Sequence, residues 1–82
     1  MVNRQTLRRL KLLGEVLHSR RDYLVIRAYT VPRLGDKVYN GKGREVGYVS
    51  NIFGPVASPY VAVKPAAEAE VVEGEALYVE KS

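Results

Sequence analysis

Short apolar runs separated by turn-forming residues are the feature that most constrains how this chain can fold. From Leu12 onward a run of this kind recurs every 8 to 15 residues, and Gly, Pro, Asn or Asp residues separate the runs. Runs this short and this rich in β-branched and aromatic residues are typical of β-strands, and none has the length of a stable helix. The pattern predicts strands at 12–18, 23–28, 37–39, 45–53, 60–64 and 76–79, with a further short β segment at 70–72.

The number of predicted strands and the length of the chain together favour one small closed barrel. A chain of 82 residues is enough for a single domain. Because no helix is available to cover the edges of a sheet, closing the six strands on themselves removes those edges. We predict an all-β fold class: a six-stranded closed barrel over residues 12–82, preceded by a flexible basic arm over 1–11. Asn40-Gly41 predicts a tight turn between the third and fourth strands, since both residues tolerate positive φ.

The residue types needed for catalysis or metal binding are scarce. The chain has no cysteine and a single histidine, His18, so it lacks a thiolate metal cluster and a nucleophile–histidine pair. The four glutamates between 68 and 75 lie in a polar connection, where a solvated acidic run is expected rather than an acid–base pair. Gly41 and Gly43 lack the following helix that a phosphate-binding loop requires. We expect a protein that is not an enzyme and uses no cofactor or metal.

Nothing in the sequence indicates export or insertion into a membrane. There is no apolar stretch of about 18 residues, and the N-terminus lacks a signal-type apolar run. The absence of cysteine also means that disulfides cannot add stability. We therefore expect an intracellular protein that has no membrane partner.

The charge distribution makes nucleic-acid binding a serious alternative. Residues 1–44 hold 11 of the 13 Lys and Arg residues against three acidic residues, which gives +8, whereas residues 45–82 carry −4. The asymmetry indicates one face that accepts a polyanion, unless the clustering is accidental. A pI near 9.6 and six tyrosines are ingredients of an oligonucleotide-binding barrel, but the tyrosines are scattered along the chain. The residues predicted for an RNA contact are Arg4, Arg8, Arg9, Lys42 and Arg44.

The strand pattern predicts an exposed apolar surface. The runs at 23–26 and 60–63 are apolar on both faces, although a half-buried strand should alternate apolar and polar residues. One set of side chains must fill the barrel, and the other set then lies outside unless bulges or loops cover it. A contiguous apolar patch on the outside usually marks a protein contact. The pattern therefore favours docking onto another protein.

The segment 52–60 is the most distinctive candidate for that contact. Gly54 allows a backbone conformation that other residues resist, and Pro55 and Pro59 stiffen the two ends of the loop. A rigid loop loses little entropy on binding, so Phe53, Val56 and Tyr60 could serve as anchors. The residues predicted to bind a partner protein are Ile26, Phe53, Gly54, Pro55, Val56, Pro59, Tyr60 and Val61.

Several of these residues also form a recognisable motif. Gly47-Tyr48-Val49, then Ile-Phe-Gly-Pro-Val at 52–56 and Pro-Tyr-Val at 59–61, resembles the central motif of the GAR-one family of H/ACA ribonucleoproteins. The segments 13–18, 32–38 and 74–79 resemble the family's first strand, its loop into the third strand and its last strand. The resemblance covers residues 12–80 in order, and the archaeal form fits best.

The resemblance implies a fold, a partner and a role. The fold is a six-stranded barrel similar to the second domain of translation elongation factors. The partner is the catalytic domain of the dyskerin-type pseudouridine synthase, in a particle that also holds a small H/ACA peptide subunit, a kink-turn-binding protein and a guide RNA. The implied role is to assist rRNA substrate loading and product release. The implied location is the cytoplasm of an archaeal cell, or the nucleolus if the protein is eukaryotic.

The resemblance leaves two alternatives open. None of the seven glycines lies in an Arg-Gly-Gly repeat, so RNA binding through a tail of that kind is not expected here. Direct RNA binding by the barrel itself remains one alternative. The other is an assembly factor of the same particle, which would hold the synthase before the guide RNA arrives and would use the same surface.

Overall fold

Six β-strands make up the regular structure of residues 9–81, the part of the chain that the computed structural model describes. Two predicted strands have the predicted bounds, and the other four differ by one or two residues at their ends. The first strand begins two residues earlier than expected, so residues 10 and 11 of the predicted arm belong to this strand. Residues 1–8 of the arm lie outside the described range. The predicted β segment at 70–72 is not a strand. The strands are β1 Leu10–Ser19, β2 Leu24–Ala28, β3 Lys37–Tyr39, β4 Glu45–Phe53, β5 Tyr60–Pro65 and β6 Ala76–Glu80.

The strands form a closed barrel in the order β1-β2-β5-β4-β3-β6, and every neighbouring pair is antiparallel. The predicted fold class is confirmed. Closure depends on β1, which is long enough to pair with β2 on one side and with β6 on the other. β-Bulges interrupt both pairings and bend the strand, as closure of a small barrel requires.

The core is the barrel interior, and it is made of aliphatic side chains. On β2 and β5 the inward residues alternate with outward ones, since Ile26 is opposite Val61 and Leu24 is opposite Val63. No polar or charged residue of the described range is buried, so the interior offers no chemistry beyond packing. The buried core residues are Leu13, Val16, Leu24, Ile26, Ala28, Val38, Val46, Val49, Val61, Val63, Val71, Leu77 and Val79.

Two different sets of loops close the two ends of the barrel. At one end, which we call the proline end, lie the β2–β3 loop (29–36) and the β4–β5 loop (54–59). Pro32 is buried there, and the carbonyl of Pro59 accepts a 2.9 Å hydrogen bond from the amide of Ala28. At the other end, which we call the acidic end, lies the connection 66–75. Val71 of this connection enters the core, and its carbonyl accepts a 2.6 Å hydrogen bond from the Ser19 hydroxyl.

The turn between β3 and β4 differs from the prediction. Asn40-Gly41 was expected to supply the positive φ values, but the residue with positive φ is Gly43, at 79°. The Asn40 side chain instead accepts hydrogen bonds from the amides of Lys42 and Arg44, at 2.9 and 3.0 Å. The loop is therefore longer than a two-residue turn, and the asparagine stabilises it through its side chain rather than its backbone.

In residues 9–81 no helix is long and apolar enough to cross a membrane.

Candidate functional site

The β4–β5 loop has a defined conformation that depends on Gly54. This residue has a φ of +88°, and a Cβ atom at its position would lie 2.7 Å from Cδ2 of Tyr60. The Tyr60 ring therefore packs against the glycine backbone, and its centroid is 5.7 Å from that of the Phe53 ring. The Ser58 amide donates a hydrogen bond to the Pro55 carbonyl across the loop, at 3.2 Å. These contacts hold Phe53, Gly54 and Tyr60 against one another, and the rigidity of the segment stays a prediction.

The same loop exposes apolar side chains. Val56 is 91% exposed at the tip, Phe53 is exposed on the outer face of β4, and Tyr60 is half-buried beside it. Gly54 and Pro55 are also exposed, whereas Pro59 is buried and fixes the loop to β2 through its carbonyl. The predicted anchors Phe53, Val56 and Tyr60 therefore lie on the same loop and its flanking strand ends at the surface. Pro59 is buried and holds the loop against β2.

Ile26 and Val61 do not belong to this surface. Both were predicted to extend the outer apolar patch, and that placement is wrong, because each is fully buried. They lie opposite each other in the β2–β5 pairing and both point into the barrel. Their neighbours Val25 and Ala62 form the opposite pair on the outside and are half-buried.

Three exposed apolar side chains at the same end of the barrel were not predicted. Tyr29, Val31 and Leu34 all lie in the β2–β3 loop and are all more than half exposed. This loop starts next to Pro59 and rejoins the sheet where the Gly35 amide donates a 2.8 Å hydrogen bond to the Val49 carbonyl. Apolar residues on both sides of Pro32, in a segment rich in turn residues, were the available signal. Together the two loops form what we call the apolar rim: Tyr29, Val31, Leu34, Phe53, Val56 and Tyr60.

Of the predicted RNA-contact residues, the three within the described range are not brought together. Lys42 and Arg44 lie at the acidic end, where they line an open groove together with Glu68 and Glu70. Arg9 precedes the start of β1 and therefore lies towards the proline end. Arg4 and Arg8 lie outside the described residues. Within the described range the acidic connection thus reduces the positive potential around Lys42 and Arg44.

Between residues 9 and 81 no three His, Cys, Asp or Glu side chains are close enough to hold a metal ion. His18 is 3.9 Å from Glu73, and both side chains are largely exposed. Such groups are solvated. The apolar rim and the exposed cations are surfaces that can bind a partner.

Comparison with known proteins gives a consistent result. Residues 10–82 match the family described as the Gar1/Naf1 RNA binding region. An uncharacterized protein of Methanothermobacter thermautotrophicus is 37% identical over 76 residues, which span 85% of this chain and 83% of that protein. The solved structure of the Gar1 domain of Naf1 matches with a TM-score of 0.76 at 20% identity, covering 98% of this chain and 92% of that chain. The structural match supports the fold, and the family match spans the barrel from β1 onward. The chain therefore belongs to the Gar1/Naf1 RNA-binding family, which is associated with H/ACA ribonucleoproteins.

Proposed function

We propose that this protein is a non-catalytic subunit of an H/ACA guide-RNA pseudouridylation particle. In this proposal its apolar rim docks on the catalytic domain of the dyskerin-type pseudouridine synthase. The observation that carries the proposal is the presence of five exposed apolar side chains and the half-buried Tyr60 at one end of a barrel whose core is already complete. Folding of this chain leaves these side chains wholly or partly in water, and several exposed apolar side chains on two neighbouring loops are typical of a protein contact.

The composition and rigidity of the apolar rim support a binding role. Aromatic side chains are enriched among residues that dominate interface energies, and the rim holds Tyr29, Phe53 and Tyr60. The β4–β5 loop is held by the packing of Tyr60 on Gly54 and by the hydrogen bond from Ala28 to Pro59. Little conformational entropy is then lost when a partner binds.

The role in turnover follows from where the protein binds. In this proposal the protein supplies no catalytic residue, so any effect on pseudouridylation passes through the contact with the synthase. A rigid subunit that binds next to a mobile segment of the enzyme can shift the population of its open and closed states. We propose that the rim acts in this way to assist rRNA substrate loading and product release.

The docking surface is tested with Val56→Asp and its matched control Val72→Asp. Val56 is 91% exposed in the rim, and Val72 is 66% exposed at the acidic end, so neither change disturbs the core. Binding would bury the new carboxylate of Val56→Asp without a partner, and we expect affinity for the synthase to fall more than about 100-fold. Val72→Asp should bind like the wild type. Isothermal titration calorimetry with purified synthase in the absence of RNA measures both.

A second variant measures the aromatic anchor. Tyr60→Ala should weaken binding by about 30-fold, which corresponds to about 2 kcal/mol. Circular dichroism and thermal unfolding verify that each variant is folded before its affinity is interpreted. If Val56→Asp binds the synthase as tightly as Val72→Asp does, the rim is not the docking surface.

Membership of the finished particle needs its own experiment. A mature subunit should co-elute with the synthase after guide RNA and the other particle proteins are added, and it should raise multiple-turnover pseudouridylation. Release of the protein when the guide RNA binds would instead identify an assembly factor and overturn the subunit role, while leaving the docking surface intact.

A further inference from the structure

We propose that the outer face of the barrel carries a binding site for single-stranded RNA, formed by Tyr23, Lys64, Tyr48 and Lys37. This site is distinct from the apolar rim and from the cations predicted from the sequence. In the proposed site, nucleobases stack on the two tyrosine rings and the lysine between them binds the phosphate backbone. The inference does not depend on the docking proposal, because the two surfaces share no residue.

The strand register places these side chains in one row. Tyr48 of β4 lies opposite Lys37 of β3 on one side and opposite Lys64 of β5 on the other. Leu24 is opposite Val63 in the β2–β5 pairing, so continuing that register by one residue places Tyr23 opposite Lys64. Neighbouring strands are about 4.8 Å apart. The row therefore alternates aromatic and cationic side chains at a short and regular spacing.

Both tyrosines of this row are exposed on the outer face of the barrel. Tyr23 and Tyr48 are 47% and 45% exposed, and neither hydroxyl makes a hydrogen bond within the described part of the chain. Tyr29 and Tyr39 differ, since their hydroxyls bond to Glu15 and Glu80. Solvent-exposed rings flanked by lysines match the arrangement used by barrels that bind single-stranded nucleic acid, where each ring supports one base.

The charges around the row favour a polyanion on the part formed by Tyr23, Lys64 and Tyr48. Lys64 forms no ion pair among the described residues. In the turn before Tyr23, Arg20 is 3.5 Å from Glu73, and Arg21 offsets the charge of Asp22. Lys37 is less free, because Glu45 is 3.8 Å from it. We therefore assign the main phosphate contact to Lys64 and a weaker one to Lys37.

Single strands fit this site better than duplexes do. The row lies on a convex outer surface, and a base must be unpaired for its flat face to reach a tyrosine ring. The site has a short aromatic row and few free cations, so we expect weak binding that depends on salt. The family description as an RNA binding region covers all four residues but does not say where RNA binds.

The test uses the isolated full chain and a fluorescein-labelled ten-nucleotide oligouridine, with fluorescence anisotropy as the readout. Tyr48→Ala should lower the affinity about tenfold, while Tyr48→Phe should keep it, because stacking needs the ring and not the hydroxyl. Lys64→Gln should weaken binding and reduce the slope of log affinity against log salt by about 0.7. Lys81→Gln is the matched control, since this exposed lysine lies outside the row.

Four results would overturn the assignment. Two concern the oligouridine: no binding at about 100 µM protein, or the same affinity for wild type and Tyr48→Ala. The other two are an equal affinity for a duplex RNA of the same length, and displacement of the oligouridine by poly-glutamate as effective as displacement by unlabelled oligouridine. The last result would identify a general polyanion surface and not an RNA site. All of these measurements omit the synthase, so their failure is distinguishable from failure of the docking proposal.

Discussion

Tyr39 is the residue whose ionisation should most affect the fold. Its hydroxyl donates a 2.8 Å hydrogen bond to Glu80 across the β3–β6 pairing. Burial, this hydrogen bond and the charges of Glu80 and Glu45 raise the pKa of Tyr39 from its usual value of 10.0 to about 12. The folded state therefore keeps the proton more tightly than the unfolded chain does. The stability that results is fully present below pH 10 and is lost as the pH rises towards 12.

We expect the free energy of unfolding, measured by urea denaturation, to fall between pH 10 and pH 12. Tyr39→Phe should remove most of that fall, because phenylalanine cannot ionise. Part of it should remain, since a hydrogen bond to Glu15 also raises the pKa of the exposed Tyr29. If wild type and Tyr39→Phe lose stability equally over this range, the coupling between Tyr39 and Glu80 does not contribute.

At the level of single residues, the sequence predicts which side chains are apolar but not which face they occupy. The run Tyr23-Leu24-Val25-Ile26 could be buried through either alternate pair. A slip of one residue in the pairing would exchange the two faces, so only the register decides. The structure selects Leu24 and Ile26 for the core. This is why Ile26 and Val61 were predicted to lie on the outer face although both lie in the core.

Among the structural elements, the strands were the most predictable, because turn residues mark their ends. β3 and β4 have the predicted bounds. The loops were harder, since their conformation depends on contacts between distant segments. The β2–β3 loop contributes half of the apolar rim because the barrel places it next to the β4–β5 loop. A local sequence pattern cannot predict that two loops so far apart in the chain lie side by side.

The β4–β5 loop allows backbone strain to be separated from loss of the docking surface. Gly54 and Gly74 have nearly equal φ values, +88° and +89°, but only Gly54 has a side chain in the way of an added Cβ atom. Alanine at either position should cost about 1–2 kcal/mol of stability, from the left-handed backbone. Only Gly54→Ala should also displace the Tyr60 ring and weaken binding to the synthase. Urea denaturation and calorimetry measure the two effects, and equal binding by both variants would contradict the role given to Tyr60.

Across the whole molecule, folding rearranges the charge asymmetry of the sequence. The acidic connection lies against basic residues of the first half of the chain: Arg20 is 3.5 Å from Glu73, and Lys42 and Arg44 share a groove with Glu68 and Glu70. These exposed pairs add little stability. Their effect is instead on binding, because they lower the positive potential at the acidic end and leave Lys64 as a more accessible cation. A count of charges along the chain could not reveal this.

Both proposed surfaces depend on which side chains of each strand point into the barrel and which point outward. Two neighbouring residues of β2 test this assignment. Ile26 is fully buried and Val25 is half-buried on the outer face. Ile26→Ala should lower the free energy of unfolding by about 3–4 kcal/mol, because it leaves a cavity in a closely packed core. Val25→Ala should cost less than about 1 kcal/mol, since water can fill the space that is vacated. Urea denaturation of the two variants gives the comparison. The opposite order would mean that β2 is shifted by one residue against β5, which would turn Tyr23 towards the barrel interior and remove it from the proposed RNA site.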